Sequence, residues 1–567
     1  MNGACGNHIV SEEYVDFIAD YELSSAEDLI SNEICYIPVD STYTAVYMPQ
    51  QLVPLRPWEE YGYKVIIRLF GLLDLKSLED SGVQRLRNIP GIELRGQQVL
   101  IGIVDTGIDY THKAFINADG TTKIESIWDQ SIQSENPPEG LYFGTEYTRE
   151  QINAALSSSN PLSIVPSTDE IGHGTFLAGI AAGNADIEND FSGVVPDSDL
   201  VVVKLKPAKK RIKDFYMIAD DINCYQENDI MLGVKYLVDT AAKYNRPISI
   251  CIGLGTSQGA HDEYGTLTSY LSSLTQLDGV AITIAAGNEG NSRHHFETLM
   301  PVGIDTETIE LIVGANEPGL YLEIWGDVPN TFSIEMITAW GENVPLITPR
   351  INERREINFI FETTILNIDF QLVGSRSGAQ LVVMRFQNPA SGTWRIIINK
   401  VNKSLDLHIN SWLPINGFIS NDTFFVRSSP YTTLTSPGNA FNPVVATAYD
   451  SQNGSLYLYA SRGFTRTGQI SPDLAAPGVN IIGPIQGNSY APASGTSIAA
   501  AHTAGIAAML LEWGKVKRNV RYMDGIDVKN LLIRGADREP NKIYPNREDG
   551  YGTLDIYGVF DSLRGNI

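Results

Sequence analysis

Four runs of nearly unbroken apolar residues constrain the fold of this chain more than any other feature of its sequence. The runs are VLIGIVD at 99–105, LVVVKL at 200–205, ISICIGLG at 248–255 and VAITIAAG at 280–287. Such runs are typical of strands that are covered on both faces in a parallel sheet. Stretches with helical periodicity separate them, and the clearest of these span 174–183, 227–244 and 265–275. The alternation predicts a doubly wound parallel α/β sheet with helices on both faces.

A different pattern occupies residues 299–434, where short segments such as FSIEMITAW and TWRIIIN alternate apolar and polar residues. Turns rich in Pro, Gly and Asn separate these segments, and helical periodicity is scarce. The pattern predicts an inserted antiparallel β-sandwich of the jelly-roll type, with Trp394 in its core. Because the α/β pattern returns at PVVATAYD, the α/β domain is predicted to comprise residues 63–298 and 435–567.

The N-terminal residues 1–62 are predicted to form a small α/β unit. Aromatic and aliphatic residues within 12–22 fall on one helical face, namely Tyr14, Phe17, Ile18 and Tyr21. Strand-like runs follow at 34–39 and 43–48. We therefore expect a helix followed by two strands.

The composition excludes several classes of protein. The formal net charge is −26 and the isoelectric point is about 4.7, which disfavours binding to nucleic acid or to anionic membranes. No segment reaches the roughly 18 apolar residues of a membrane span. The N-terminus lacks a basic stretch followed by an apolar one, so we expect no signal peptide and synthesis in the cytoplasm. The four cysteines form no CxxC pair and are expected to be free thiols, with one disulfide as the alternative.

Three short motifs carry residues suited to nucleophilic catalysis. VLIGIVDTGIDYTH ends a buried strand at Asp105, HGTFLAGIAAG begins a helix at His173, and SGTSIAAAHTAGIAAML begins another at Ser497. A serine hydroxyl becomes a good nucleophile when an imidazole takes its proton and a carboxylate fixes the tautomer of that imidazole. The three motifs therefore predict a catalytic triad.

A fourth motif, AAGNEG at 285–290, places Asn288 just beyond a buried strand. Its side-chain amide is suited to donate a hydrogen bond to an oxyanion, together with the backbone amides at the start of the helix that carries Ser497. An aspartic-protease interpretation, which pairs the Asp-Thr-Gly at 105–107 with the Asp-Ser-Gly at 80–82, is disfavoured. These two motifs stand too close in the chain to come from separate lobes.

Taken together, the four motifs resemble the subtilisin (subtilase) superfamily of serine proteases. VDTGID, HGTFLAG, AAGNEG and GTSIAAAH match the sites that define the family, and PDLAAPGVNI and GYGTLDIY match further segments of it. The resemblance implies a subtilisin-like fold, a protein or peptide substrate and no cofactor. It also implies that substrate contacts the segments Gly253-Leu254-Gly255 and Ala285-Ala286-Gly287, with an open rim to the specificity pocket where Gly253 replaces the serine of many relatives.

Three further segments resemble the Csp branch of clostridial subtilases, namely KLKPAKKRIKDFY, YQENDIMLGVKYL and CIGLGTSQGAHDE. That resemblance implies a prodomain that fills the active-site cleft and is cut by the enzyme itself. It also implies incorporation into spores and activation of a cortex-hydrolase precursor during germination. Two alternatives stay open: a self-inhibited or pseudoprotease-like binding scaffold, and a secreted nutritional protease. The run after VDTGID reads His112-Lys113-Ala114-Phe115 and lacks the family's calcium-binding acid, so no metal site is assigned.

A run of basic residues is unusual in so acidic a chain, and it comprises Lys204, Lys206, Lys209, Lys210, Arg211 and Lys213. One hypothesis is that these charges steer acidic substrate segments to the cleft. The other is a solvated loop.

Overall fold

The computed structural model of the chain describes residues 2–20, 34–54, 57, 66–72, 93–350, 353–373 and 376–564. The predicted boundary between residues 62 and 63 lies outside these residues, as do Tyr21 and the motif at 80–82.

The N-terminal unit contains a helix and a three-stranded antiparallel sheet. Its elements are α1 (Asn2–Val10), β1 (Tyr14–Ala19), β2 (Cys35–Pro38) and β3 (Thr44–Pro49), and the strand order is β1-β3-β2. The helix predicted over 12–22 is wrong, because β1 pairs with β3 along its whole length. Both faces of β1 are covered: Val15 and Phe17 pack within the unit, whereas Ile18 packs in a core shared with the α/β domain. A strand buried on both faces shows no alternation, so its apolar residues also fit a helical face.

The cysteines differ in state. Cys224 and Cys251 are buried free thiols, as predicted, whereas Cys35 is disulfide-bonded, which corrects the prediction of a free thiol at that position.

The first part of the α/β domain follows a short strand, β4 (Leu69–Leu72). Its strands are β5 (Leu100–Asp105), β6 (Ile124–Asp129), β7 (Thr145–Thr148), β8 (Asp199–Lys204), β9 (Tyr225–Gln226), β10 (Ile248–Ile252), β11 (Leu254–Gly255) and β12 (Val280–Ala285). Its helices are α2 (Arg149–Leu156), α3 (His173–Ala182), α4 (Lys210–Phe215), α5 (Glu227–Tyr244) and α6 (Thr266–Leu274).

The inserted residues form two antiparallel sheets that share one apolar core, in which Trp394 is fully buried as predicted. The strands are β13 (His295–Met300), β14 (Thr306–Val313), β15 (Gly319–Gly326), β16 (Phe332–Ile337), β17 (Asn343–Ile347), β18 (Arg354–Asn358), β19 (Ile365–Gln371), β20 (Gln380–Gln387), β21 (Gly392–Lys400), β22 (Leu407–Trp412) and β23 (Phe424–Phe425). One sheet has the order β13-β22-β15-β20-β19-β18 and the other β17-β16-β21-β14-β23. The jelly-roll type of this insertion stays a prediction.

The second part of the α/β domain contributes four strands and three helices. They are β24 (Val444–Tyr449), β25 (Leu474–Pro477), β26 (Ile481–Ile485), β27 (Ser489–Ala493), α7 (Thr496–Leu511), α8 (Gly525–Gly535) and α9 (Ile556–Arg564). Helix α7 is buried along its whole length, which its many alanines and glycines allow because they let the helix approach the sheet closely.

The central sheet has eight strands in the order β25-β24-β12-β10-β5-β8-β6-β7. Its four middle strands, β12-β10-β5-β8, are parallel and correspond to the four predicted apolar runs. Separate apolar cores cover the two faces, one with α3 and α7 and the other with α5 and α6. The predicted doubly wound sheet is thus confirmed at its centre, whereas the edge strand β7 pairs antiparallel with β6 and makes the sheet mixed.

The insertion leaves the sheet at β12 and the chain returns at β24, its immediate neighbour, where Thr283 lies opposite Val444. No helix among the described residues is long and apolar enough to cross a membrane.

Candidate active site

The three motifs meet at one edge of the central sheet. Asp105 is the last residue of β5, His173 is the first residue of α3, and Ser497 is the second residue of α7. The carboxyl ends of parallel strands are where open α/β sheets bind their ligands, and the two helix starts bring backbone N–H donors to the same place.

Asp105 and His173 form a buried hydrogen-bonded pair. The Nδ1 atom of His173 lies 2.7 Å from Oδ1 of Asp105, and both side chains are almost fully buried. The backbone N–H of Thr106 donates to the same carboxylate oxygen at 2.7 Å. Because an ionised carboxylate only accepts hydrogen bonds, Nδ1 carries the hydrogen, and Nε2 of His173 is left to accept a proton.

The start of α3 is held by an acid that sequence reasoning missed. Oδ1 of Asp169 accepts the backbone N–H of Gly172 at 2.8 Å, and Oδ2 accepts the N–H and the hydroxyl of Thr175 at 2.8 and 2.7 Å. These bonds satisfy donors that a helix N-terminus leaves unpaired, and they fix the direction in which His173 leaves the helix. The signal available in the sequence was an acid four positions before the histidine.

Gly174 allows the helix to approach the strand that carries Asp105. A Cβ atom at Gly174 would lie 2.3 Å from the carbonyl oxygen of Gly107, and the N–H of Gly174 donates to the hydroxyl of Thr106 at 2.9 Å. A larger residue would push α3, and His173 with it, away from the carboxylate.

Gly253 lies next to both His173 and Ser497. A Cβ atom built on Gly253 would be 3.1 Å from Cε1 of His173 and 3.3 Å from Cβ of Ser497. It would also be 2.5 Å from Cδ1 of Leu177, so the side chain of Leu177 fills the space that a serine would need. The missing side chain at Gly253 thus accommodates Leu177, which gives a different reason for this glycine from the open rim expected from sequence.

Asn288 presents an unsatisfied donor at the same edge. Its Oδ1 accepts the backbone N–H and the hydroxyl of Thr496 at 3.2 and 3.1 Å. Its buried Nδ2 has no hydrogen-bond partner among the described residues. Because the N–H of Thr496 requires an acceptor, the amide is oriented with its NH₂ group directed away from the helix and available to another group.

The segment Ala285-Ala286-Gly287 leads from β12 to Asn288. The N–H of Ala286 donates to the carbonyl of Ala446 in β24 at 3.0 Å, and the N–H of Gly287 donates to the hydroxyl of Thr496 at 3.1 Å. These bonds connect the segment to the neighbouring strand and to the start of α7.

The second predicted substrate segment, Gly253-Leu254-Gly255, already pairs with another part of the chain. Strand β4 lies between β11 and β9 in a three-stranded antiparallel sheet, with Leu72 opposite Leu254 and Gly71 opposite Gly255. On its other edge, Phe70 and Leu69 lie opposite Tyr225 and Gln226. Residues 225–226 were not predicted from the sequence, because their pairing partner is distant in the chain.

Cys251 lies in β10, two residues before Gly253, and does not provide a second nucleophile. Burial raises the pKa of its thiol far above the ordinary value, and the negative charge of Asp105 raises that pKa further. A thiol that stays protonated is a poor nucleophile.

Most lysines of the basic run form ion pairs with acids of this chain, which neither hypothesis from the sequence anticipated. Lys206 pairs with Asp229 at 2.6 Å, and Lys204 pairs with Glu170 at 2.8 Å. The buried ammonium of Lys209 pairs with the buried carboxylate of Asp16 in β1 of the N-terminal unit. Lys204, Lys206 and Lys209 are therefore paired with acids, and Lys209 joins the N-terminal unit to the α/β domain.

This sheet, with an Asp–His pair, a helix-borne serine and an asparagine amide at its edge, is the arrangement of the subtilases. The sequence model of the Subtilase family matches residues 96–319 and 362–552. The chain therefore belongs to this family, the subtilisin-type serine endopeptidases.

Among solved structures, the CspB protease of Clostridium perfringens is similar to this chain, with a TM-score of 0.76 and 31% sequence identity. The match covers 86% of this chain and 98% of the CspB chain, which confirms the predicted resemblance to the Csp branch.

Curated relatives match more distantly. The C5a peptidase of Streptococcus pyogenes serotype M18 is 22% identical over 523 residues, which is 85% of this chain, and this chain spans 41% of its length. A subtilisin of a Bacillus species (strain TA39) is 27% identical over 195 residues, or 34% of this chain and 35% of that protein.

Proposed function

We propose that this chain is an active serine endopeptidase in which Asp105, His173 and Ser497 form the catalytic triad. The observation that carries the proposal is the 2.7 Å bond between His173 and Asp105, with the imidazole and Ser497 both adjacent to the Cβ position of Gly253. A fixed tautomer leaves Nε2 of His173 as the base, which is the requirement for activating a serine.

In the proposed reaction, Oγ of Ser497 attacks the peptide carbonyl while Nε2 of His173 takes its proton. Asp105 stabilises the imidazolium that forms. The Nδ2 group of Asn288 and the backbone N–H of Ser497 donate to the oxyanion, and an oriented donor of this kind contributes about 2.7–4 kcal/mol in the transition state. His173 then protonates the leaving amine, and water releases the acyl group from Ser497.

We further propose that the chain is made as a zymogen and cuts itself. Strand β4 holds the position of a substrate strand, because Leu72 and Gly71 pair with β11, which directly follows Gly253 at the candidate active site. On this proposal the chain cuts the bond after Leu73, which is the first residue after β4 in the sequence and lies outside the described residues. The prodomain of this proposal comprises residues 1–73 and so ends beyond residue 62, the boundary that the sequence predicts.

A self-inhibited scaffold is the second candidate, and the burial of the proposed prodomain favours it. Leu69 and Phe70 are fully buried, and the buried ion pair of Asp16 with Lys209 joins the N-terminal unit to the α/β domain. A prodomain held in this way leaves the cleft slowly after the cut.

The likeness to the CspB protease extends the proposal to a biological setting. We propose that the chain is made in the cytoplasm, is incorporated into spores and activates a cortex-hydrolase precursor during germination. The substrate is a protein on this proposal, with the chain's own prodomain as the first peptide to occupy the cleft.

The experiment compares intact mass and N-terminal sequence of the purified chain with those of its Ser497→Ala variant. Loss of residues 1–73 in the wild type alone supports self-processing, and a new N-terminus at Asp74 supports the proposed register. Labelling of the wild type by a fluorophosphonate distinguishes an accessible active serine from the scaffold alternative. A wild type that stays uncut and unlabelled contradicts the proposed function.

A further inference from the structure

The residue of β4 opposite Gly255 is a glycine, and the space above it is closed by the insertion. A Cβ atom at Gly71 would lie 2.7 Å from Cδ1 of Ile415 and 3.0 Å from Cε1 of Phe418. Both residues belong to the segment that follows β22, so the inserted sandwich reaches over the cleft. The backbone of Gly71 is outside the left-handed region, and the available space rather than φ therefore excludes a side chain here.

We call Ile415 and Phe418 the roof. These two residues pack against β4 as well as against the rest of the insertion. Both side chains are buried, and they pack in one apolar cluster with Leu69 of β4 and with Tyr321 and Trp325 of the insertion. Side chains fixed in a packed cluster move little, so an added methyl group at Gly71 finds no room.

Asn416 ties the roof to the loop that carries the oxyanion donor. Its backbone N–H donates to a carboxylate oxygen of Glu289 at 3.0 Å, and its side-chain amide donates to the carbonyl of Asn288 at 3.4 Å. The roof is thus positioned relative to the reacting centre, and it is not a loose loop.

The two faces of β4 pack in different apolar clusters. Leu69 and Gly71 face the insertion, whereas Phe70 packs in the α/β core together with Tyr225 and Leu254. The α/β domain therefore surrounds Phe70, whereas the insertion contributes to the surroundings of Leu69 and closes the space above Gly71.

We infer that the insertion determines the substrate specificity of the protease, and that the roof selects glycine at the third residue before the cut. The inference rests on the proposed function and on the register proposed for β4. The substrates it defines are extended protein segments in which a large aliphatic residue, an aromatic residue and a glycine follow one another, as Leu69, Phe70 and Gly71 do. Widening the roof relaxes the requirement for glycine and leaves the requirement for the aromatic residue unchanged.

The test uses the full chain as its own substrate, synthesised in a cell-free system and sampled over time by intact mass. Overpacking a closed site predicts that Gly71→Ala slows self-cleavage about five- to tenfold, and that Gly71→Val slows it about a hundredfold. Combining Gly71→Val with Ile415→Ala and Phe418→Ala restores cleavage to within about tenfold of the wild type.

A matched pair of residues provides the control. Ile360 and Phe361 are the same residue types in the same insertion, but they are 84% and 69% exposed. Ile360→Ala with Phe361→Ala leaves both the wild-type rate and the Gly71→Val defect unchanged. Equal cleavage of the Gly71→Val chain and the wild type overturns the inference, and so does a failure of the roof variant, itself folded, to restore cleavage.

The same substitutions in the Ser497→Ala chain separate the inference from the proposed function, because no cleavage is needed. Hydrogen exchange of the amides of β4 reports how firmly the strand is held. Gly71→Val lowers this protection, and the roof variant recovers it. If the wild type proves uncut, the proposed self-processing fails while this exchange experiment still decides whether the roof excludes a side chain. Unchanged protection in Gly71→Val then overturns the inference as well.

Discussion

Two neighbouring lysines offer a direct test of what holds the N-terminal unit on the α/β domain. Lys209 is 4% exposed, and its ammonium pairs with Asp16 and donates to the carbonyl of Tyr14 at 3.1 Å. Lys210 is 60% exposed and pairs with Asp214 and Asp220 at 3.0 and 2.9 Å. Lys209→Met and Lys210→Met each remove one positive charge, and the two positions are adjacent. Comparing the two variants therefore isolates the effect of burying the ion pair.

The two variants are expected to weaken docking by different amounts, because water screens the exposed ion pairs of Lys210 but not the buried pair of Lys209. After Lys209→Met, the buried carboxylate of Asp16 keeps only the side-chain amides of Gln226 and Asn228, at 2.9 and 3.2 Å. Removing one partner of a buried ion pair costs about 3–5 kcal/mol, whereas an exposed pair contributes about 0–1 kcal/mol. We therefore expect Lys209→Met to weaken docking of the N-terminal unit about 10²- to 10⁴-fold, and Lys210→Met to change it less than about fivefold.

Hydrogen exchange measured by mass spectrometry on the uncut Ser497→Ala chain is the assay, because opening of the docked unit exposes the amides of β1 and β3. The variant that combines Asp16→Asn with Lys209→Met removes both charges and recovers most of the protection. Equal losses of protection in the two lysine variants, or no recovery in the double variant, would refute the reasoning from burial.

Three further perturbations test the site and its surroundings. Asn288→Ala is expected to lower kcat about 10²- to 10³-fold with little change in KM in peptide hydrolysis; a raised KM at unchanged kcat would contradict an oxyanion role. Gly174→Ala places a methyl group against the carbonyl of Gly107, and it is expected to reduce fluorophosphonate labelling about a hundredfold in a chain that still folds. Hydrogen bonds that His408 donates to the carboxylates of Asp327 and Glu297 raise its pKa from 6.5 to about 9, so the stability that these bonds provide is complete below pH 6.5 and is lost as the pH rises through 9. The wild-type Tm should therefore fall more steeply between pH 7 and 9.5 than that of His408→Gln, and parallel curves would show that His408 contributes nothing.

The sequence predicted those parts of the molecule whose signal is local. The four apolar runs became the four central parallel strands, because strands buried on both faces need apolar residues at every position. The motifs around Asp105, His173 and Asn288 lie where a strand ends or a helix begins, and such junctions can be read from the sequence. The predicted helix over 12–22 is wrong for a related reason, since β1 is covered on both faces and its apolar residues carry no period of two.

Features that depend on long-range pairing could not be predicted in this way. The partner of Lys209 is Asp16, which is 193 residues away, so the sequence of the basic run alone gives no sign of this pairing. Strand β4 was likewise unrecognised, because four residues become a strand here only between β9 and β11. The roof over Gly71 comes from a third distant segment, and a single sequence contains no signal that joins these three parts.

The position of the insertion has a consequence for the folding kinetics of the central sheet. Strand β24 can join β12 only after the intervening chain has closed a loop, and the entropy lost in closing a loop grows with its length. The ends of the insertion are joined to each other, because the N–H of Ser429 donates to the carbonyl of His295 at 2.8 Å and the N–H of Phe425 to that of Arg293 at 3.0 Å. If the sandwich folds first, the effective loop shrinks from roughly 160 residues to roughly 25, which lowers the closure cost by about 1.5 kcal/mol. An early-folding insertion therefore accelerates the pairing of β12 with β24.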